Sequence, residues 1–147
     1  MKKIILTLVA VFAAISLLAQ NDKADNILGI YKAGYDQEAY KVQIVKSPDG
    51  SYKASICWVS ETRDANGKIM TDIKNPDKSL RNVPLDKVVL ISGLKYNNAK
   101  KRWDGAKIYD PVRGIKVSAT LSFDSPKILK VRGSVLGIGE TVVWTKE

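Results

Sequence analysis

The stretch IKVSATLSFDSPKILKVRGSVL, residues 115–136, decides the fold. Val117, Ala119, Leu121 and Phe123 alternate with Ser118, Thr120 and Ser122. A period of two puts one face in a core and the other in water. Asp124-Ser125-Pro126-Lys127 then interrupts the run with turn-forming residues. The chain resumes with Leu129, Val131, Gly133 and Val135 inward against Lys130, Arg132 and Ser134. Two one-sided strands joined by a short turn read as an antiparallel hairpin.

Working outward, the same grammar recurs. Downstream, Gly137-Ile138-Gly139 is a turn and Glu140 to Thr145 a final strand. Upstream, Trp103 to Tyr109 is a strand closed by Asp110-Pro111-Val112-Arg113-Gly114, and Asn97 to Arg102 is a basic turn. Leu85 to Tyr96 reads as a strand bent at Gly93. Tyr40 to Lys46 and Ser51 to Val59 flank the turn Ser47-Pro48-Asp49-Gly50, giving a second hairpin with Tyr52, Ala54, Ile56 and Trp58 expected on one face. Ile27 to Tyr31 is a first strand. Met70 to Leu85 is the longest stretch without a period, and loops of that length are usually functional or well tied down. No segment sustains a helical period. About eight strands in sequence with short connections suggest an all-β, antiparallel up-and-down barrel, because closure removes exposed sheet edges. A two-sheet sandwich is the alternative.

The N-terminus sets a destination. Met1-Lys2-Lys3 precedes an uncharged run from Ile4 to Leu18, and a small residue, Ala19, stands before polar Gln20 to Lys23. This is the form of a secretory signal peptide, too short for a membrane span of about 20 residues. The expectation is a leader over 1–19, then one exported periplasmic or extracellular domain over 20–147 with no membrane-spanning segment. Lys2 and Lys3 contribute two units to the formal net charge of +9, so the remaining chain is at +7. A basic exported domain suits anionic envelope surfaces. Nucleic acid is a poor partner, since no RNP-like or basic helical pattern occurs.

Composition narrows the chemistry. Without any histidine, Ser-His and Cys-His catalytic pairs and HExxH zinc sites are excluded. Cys57 is the sole cysteine, so no disulfide forms within the chain, and its apolar run predicts a buried, inert thiol. Asp64 and Asn66 lack the further acidic ligands of an EF-hand loop. No cofactor is expected.

Two stretches carry the candidate site. In DIKNPDKSLRNVPL, residues 72–85, Asp72, Asn75 and Asp77 suit loop amides, while Lys74 and Arg81 suit those carboxylates or an anionic ligand. In WDGAKIYDPVRG, residues 103–114, Asp110, Pro111 and Gly114 satisfy the demands of a tight turn. Trp58, Trp103 and Trp144 lie in strands, where they either line a ligand pocket or fill the barrel.

The two motifs in this order, with Arg81, Pro84-Leu85 and the terminal Thr-Val-Val-Trp strand, resemble a family of exported bacterial proteins of unknown function, number 2147 in the domain-of-unknown-function series. The resemblance runs from Gly29 to Trp144. It departs at Tyr31, where the family tends to carry Trp, and after Gly114, where Ile115-Lys116-Val117 replaces a Lys-Thr-Tyr continuation. It implies a lipocalin-like barrel and no established activity. The expected function is non-catalytic binding of a small amphipathic or lipid-like ligand, with Trp58, Asp72, Lys74, Asn75, Asp77, Arg81, Trp103, Tyr109 and Asp110 as candidate contacts. The alternatives are an envelope interaction module using the basic surface, Lys100, Lys101 and Arg102 included, and a hydrolase built on paired carboxylates.

Overall fold

Eight antiparallel strands follow one another round a closed barrel, each paired with its sequence neighbours. The computed structural model describes residues 23–135 and 137–147; the expected leader and Leu136 lie outside them. The strands are β1 (Gly29–Ala33), β2 (Tyr40–Lys46), β3 (Tyr52–Val59), β4 (Val89–Asn97), β5 (Arg102–Asp110), β6 (Ile115–Ser125), β7 (Ile128–Val135) and β8 (Ile138–Lys146). Closure comes from β1 on β8, with Tyr31 opposite Lys146 and Lys32 opposite Thr145. That pairing is what separates a barrel from the sandwich alternative.

The 115–136 hairpin stands as its alternation demands. Leu121 faces Val131 and Phe123 faces Leu129 across β6 and β7, with Ala119, Leu121, Leu129 and Val131 buried. The Ser47–Gly50 turn closes β2 onto β3 through Ser47 N–H to the Ser51 carbonyl at 2.8 Å, and Asp49 accepts from the Ser51 amide at 3.0 Å. Three expected strand starts move, one of them that of β8, which begins at Ile138 inside the expected Gly137-Ile138-Gly139 turn. Ile27 belongs to a 3-10 turn, Ala24–Ile27, and β1 starts at Gly29. Leu85–Lys87 forms another 3-10 turn, and β4 starts at Val89.

A bulge corrects two residue assignments. On β3 the partner of Val42 is Ile56, but the partner of Lys41 is Trp58. The extra residue, Cys57, shifts the in–out phase beyond Ile56. Tyr52, Ala54 and Ile56 point inward as expected, whereas Trp58 is 45% exposed on the outside, with the Lys41 ammonium 5.8 Å from its ring. Cys57 is exposed rather than buried. Val59, beyond the bulge, turns back to the interior.

One end of the barrel is plugged by the chain's own N-terminal turn. Ile27 is fully buried. Backbone carbonyls of this turn receive the polar tips of residues from around the wall: Tyr31 Oη donates to Ile27 O at 2.7 Å, Trp103 Nε1 to Ala24 O at 3.0 Å and Lys146 Nζ to Asn26 O at 2.7 Å. Tyr52 Oη donates to Asp25 Oδ1 at 2.5 Å. Trp103 also packs on Tyr96 and Phe123, with ring centroids 4.9 and 5.6 Å away. A 3-10 turn leaves carbonyls unpaired, so bringing N–H and O–H donors to them satisfies both sides without water. The same residues fill the lower half of the barrel.

Candidate functional site

The upper half is open. Above Trp144 lies a cavity of about 1100 Å³, walled by Tyr40, Ile56, Val59, Met70, Leu85, Leu90, Ile108, Val117, Val131 and Val142. Its mouth is formed by the connections that follow β1, β3, β5 and β7. Apolar side chains persist onto the lip, where Tyr35, Ile73, Val112 and Ile138 are each more than 70% exposed. Large exposed apolar residues gathered at one opening mark an interaction site rather than ordinary surface. Charges at the lip are mixed, from Glu38, Glu61, Lys74, Asp110, Arg113 and Glu140.

The two sequence motifs meet beside this mouth. Asp72 is 2% exposed; its Oδ1 accepts from Tyr109 Oη at 2.6 Å and its Oδ2 from Asn75 Nδ2 at 2.7 Å. Asn75 in turn accepts from the Asp77 amide at 2.9 Å through its side chain and from Arg81 Nε at 2.8 Å through its carbonyl. Asp77 caps the 3-10 turn Lys78–Leu80 by accepting from the Ser79 amide at 3.0 Å. Lys74 Nζ crosses to the Val112 carbonyl at 3.0 Å. Asp110 Oδ1 accepts from the amides of Val112 and Arg113, at 2.9 and 3.3 Å, in the manner of an Asx-turn. Gly114 sits at φ 68°, and a Cβ there would collide with the Lys74 carbonyl. The long loop is therefore a strap knotted to the β5–β6 corner, with every candidate carboxylate satisfied inside the protein.

This geometry sorts the expected contacts. Lys74, Tyr109 and Asp110 line the cavity. Asp72, Asn75, Asp77 and Arg81 do not; they hold the strap. Trp58 is outside the barrel, because of the bulge, and Trp103 is in the plugged end, because its N–H is held by Ala24. Tyr40, which the sequence did not single out, and Trp144, which it left between lining a pocket and filling the barrel, line the cavity as well. Their signal was present in the in–out parity of β2 and β8, but parity alone does not tell the open half from the filled half.

Burial pushes the Tyr109 phenol well above its ordinary range, reinforced by its hydrogen bond to the Asp72 carboxylate. Tyr40 is raised by burial, an effect that the Trp144 indole opposes and the Asp110 charge adds to. Both hydroxyls consequently stay protonated as donors near neutral pH.

An eight-stranded antiparallel barrel plugged at one end and open to an apolar cavity at the other is a lipocalin-like architecture. A solved structure, protein HP1028 from the human pathogen Helicobacter pylori, described as belonging to the lipocalin family, matches with a TM-score of 0.65 and 25% sequence identity, covering 82% of each chain. Among curated proteins none matches. The profile of the family described as uncharacterized proteins conserved in bacteria, DUF2147, matches residues 29–146, and the chain belongs to that family.

Proposed function

We propose that this protein is an exported, non-catalytic carrier that holds one small amphipathic or lipid-like molecule in the open half of its barrel. The observation that carries this reading is the apolar cavity of about 1100 Å³ above Trp144, continuous with an exposed apolar lip. Cavities of roughly 300–1,000 Å³ with apolar walls and few polar groups suit drug-sized ligands. Asp72, Asp77 and Asp110 each accept hydrogen bonds from within the protein, Asp72 from Tyr109 and Asn75 and the other two from their own loops, which supports binding over carboxylate-based hydrolysis. The basic turn with Lys100, Lys101 and Arg102 joins β4 to β5 at the plugged end, away from the mouth, and Arg102 pairs with Asp104 at 3.0 Å.

Native mass spectrometry of freshly isolated protein tests the reading. The expected spectrum contains a one-to-one adduct that disappears on denaturation. A chain that carries no adduct, and acquires none from a total lipid extract, would remove the basis for the proposal.

A further inference from the structure

We propose that the Tyr40 hydroxyl, backed by the Trp144 indole, is the polar anchor of the cavity and donates to a neutral oxygen of the ligand, such as a carbonyl or ester. This deepens the carrier reading and rests on it.

Buried polar groups are almost always paired, so an exception needs a reason. Tyr31, Tyr52, Trp103 and Tyr109 all have their polar atoms engaged by the protein itself. Among the described residues, Trp144 Nε1 is the one buried side-chain nitrogen or oxygen without a hydrogen-bond partner. Trp144 and Tyr40 both line the cavity. The indole acts on the Tyr40 phenol as a hydrogen-bond donor would, yet the contact falls outside hydrogen-bond geometry. Rotation of Tyr40 towards the indole would complete an N–H to Oη bond. The phenol oxygen then accepts from Trp144, and its own hydrogen is left to donate into the cavity.

The chemistry of the acceptor follows from the charges around it. Asp110 is the charge that acts on Tyr40, and it is negative. The cations lining the cavity are already held: Lys74 by the Val112 carbonyl, Arg113 by Asp110 and Glu140 at 3.7 and 3.5 Å. A carboxylate lowered to Tyr40 would be buried without a counter-charge, whereas a neutral carbonyl needs only the hydrogen bond.

The test is displacement of diphenylhexatriene, a fluorescent hydrocarbon with no acceptor, by methyl decanoate, decanoate and the parent alkane at pH 8. The ester should displace the dye at about fivefold lower concentration than either of the others. Within Tyr40→Phe, and within Trp144→Phe, the ester should displace the dye no better than the alkane does. Decanoate matching the ester, or an ester advantage that survives Tyr40→Phe, would overturn the assignment while leaving the carrier reading intact. A wild-type chain that does not bind the dye would overturn both.

Discussion

At the residue scale, the molecule turns on where its buried hydroxyls and carboxylates find partners. Asp72 is the hub of the strap, holding Tyr109 and Asn75 at 2.6 and 2.7 Å. Replacing it by Ala strands both in a buried setting, at a cost of about 2–3 kcal/mol, or a fall in Tm on the order of 10 °C. Tyr109→Phe should act through the same contact, so thermal melts of the two single variants and the double should show clear non-additivity. Tyr31, Tyr52 and Tyr109 all have phenols held above their ordinary value, first by burial, and for Tyr52 and Tyr109 also by Asp25 and Asp72. The folded chain keeps these protons where the unfolded chain gives them up, from about pH 10. Stability is therefore untouched below that pH and falls as the pH rises beyond it. Denaturant midpoints followed across that range, with phenolate absorbance read in parallel, should move together; free titration of these phenols in the native state would contradict the burial assigned to them. Part of the hub was legible: Asp72, Asn75 and Asp77 were expected to satisfy loop amides, and Asn75 and Asp77 do, whereas Arg81, expected on a carboxylate or an anionic ligand, is held by the Asn75 carbonyl. Trp58 and Cys57 were not legible, because a single-residue bulge reverses parity and leaves no mark in an apolar run.

At the element scale, the strands declared themselves and the irregular pieces did not. Alternation located β2, β3, β5, β6 and β7 closely, since a half-buried pleated surface needs that pattern. Ile27 and Leu85 are apolar residues next to strands, and they pack inward from 3-10 turns instead, Ile27 fully and Leu85 half buried. Apolarity registers burial, not backbone conformation. The Met70–Leu85 strap had no period because its order comes from hydrogen bonds to one corner. Gly114 is the tightest point of that joint. Gly114→Ala imposes both an unfavourable φ and a collision with the Lys74 carbonyl, costing about 1–3 kcal/mol. Hydrogen exchange should then quicken across residues 72–85 while the amides of β6 and β7 beyond the joint keep their protection. Uniform loss of protection, or none, would mean that the strap is not docked as a unit.

At the scale of the whole molecule, the barrel is two structures in one envelope. Its lower half is a packed core whose donors close on the N-terminal turn, and its upper half is an apolar chamber ringed by exposed apolar residues. The sequence pattern led to closure and to an apolar interior, but not to how far that interior is filled. That depends on which inward residues stack at the same height, a relation set by barrel stagger rather than by any one strand. The central claim is that the upper chamber takes a ligand, and an equilibrium titration with diphenylhexatriene tests it most directly. Wild-type protein should bind one dye molecule saturably. Val117→Trp, which puts an indole into the chamber, should abolish binding without lowering Tm. A wild-type chain that does not bind, or binding that is unchanged in Val117→Trp, would contradict the account.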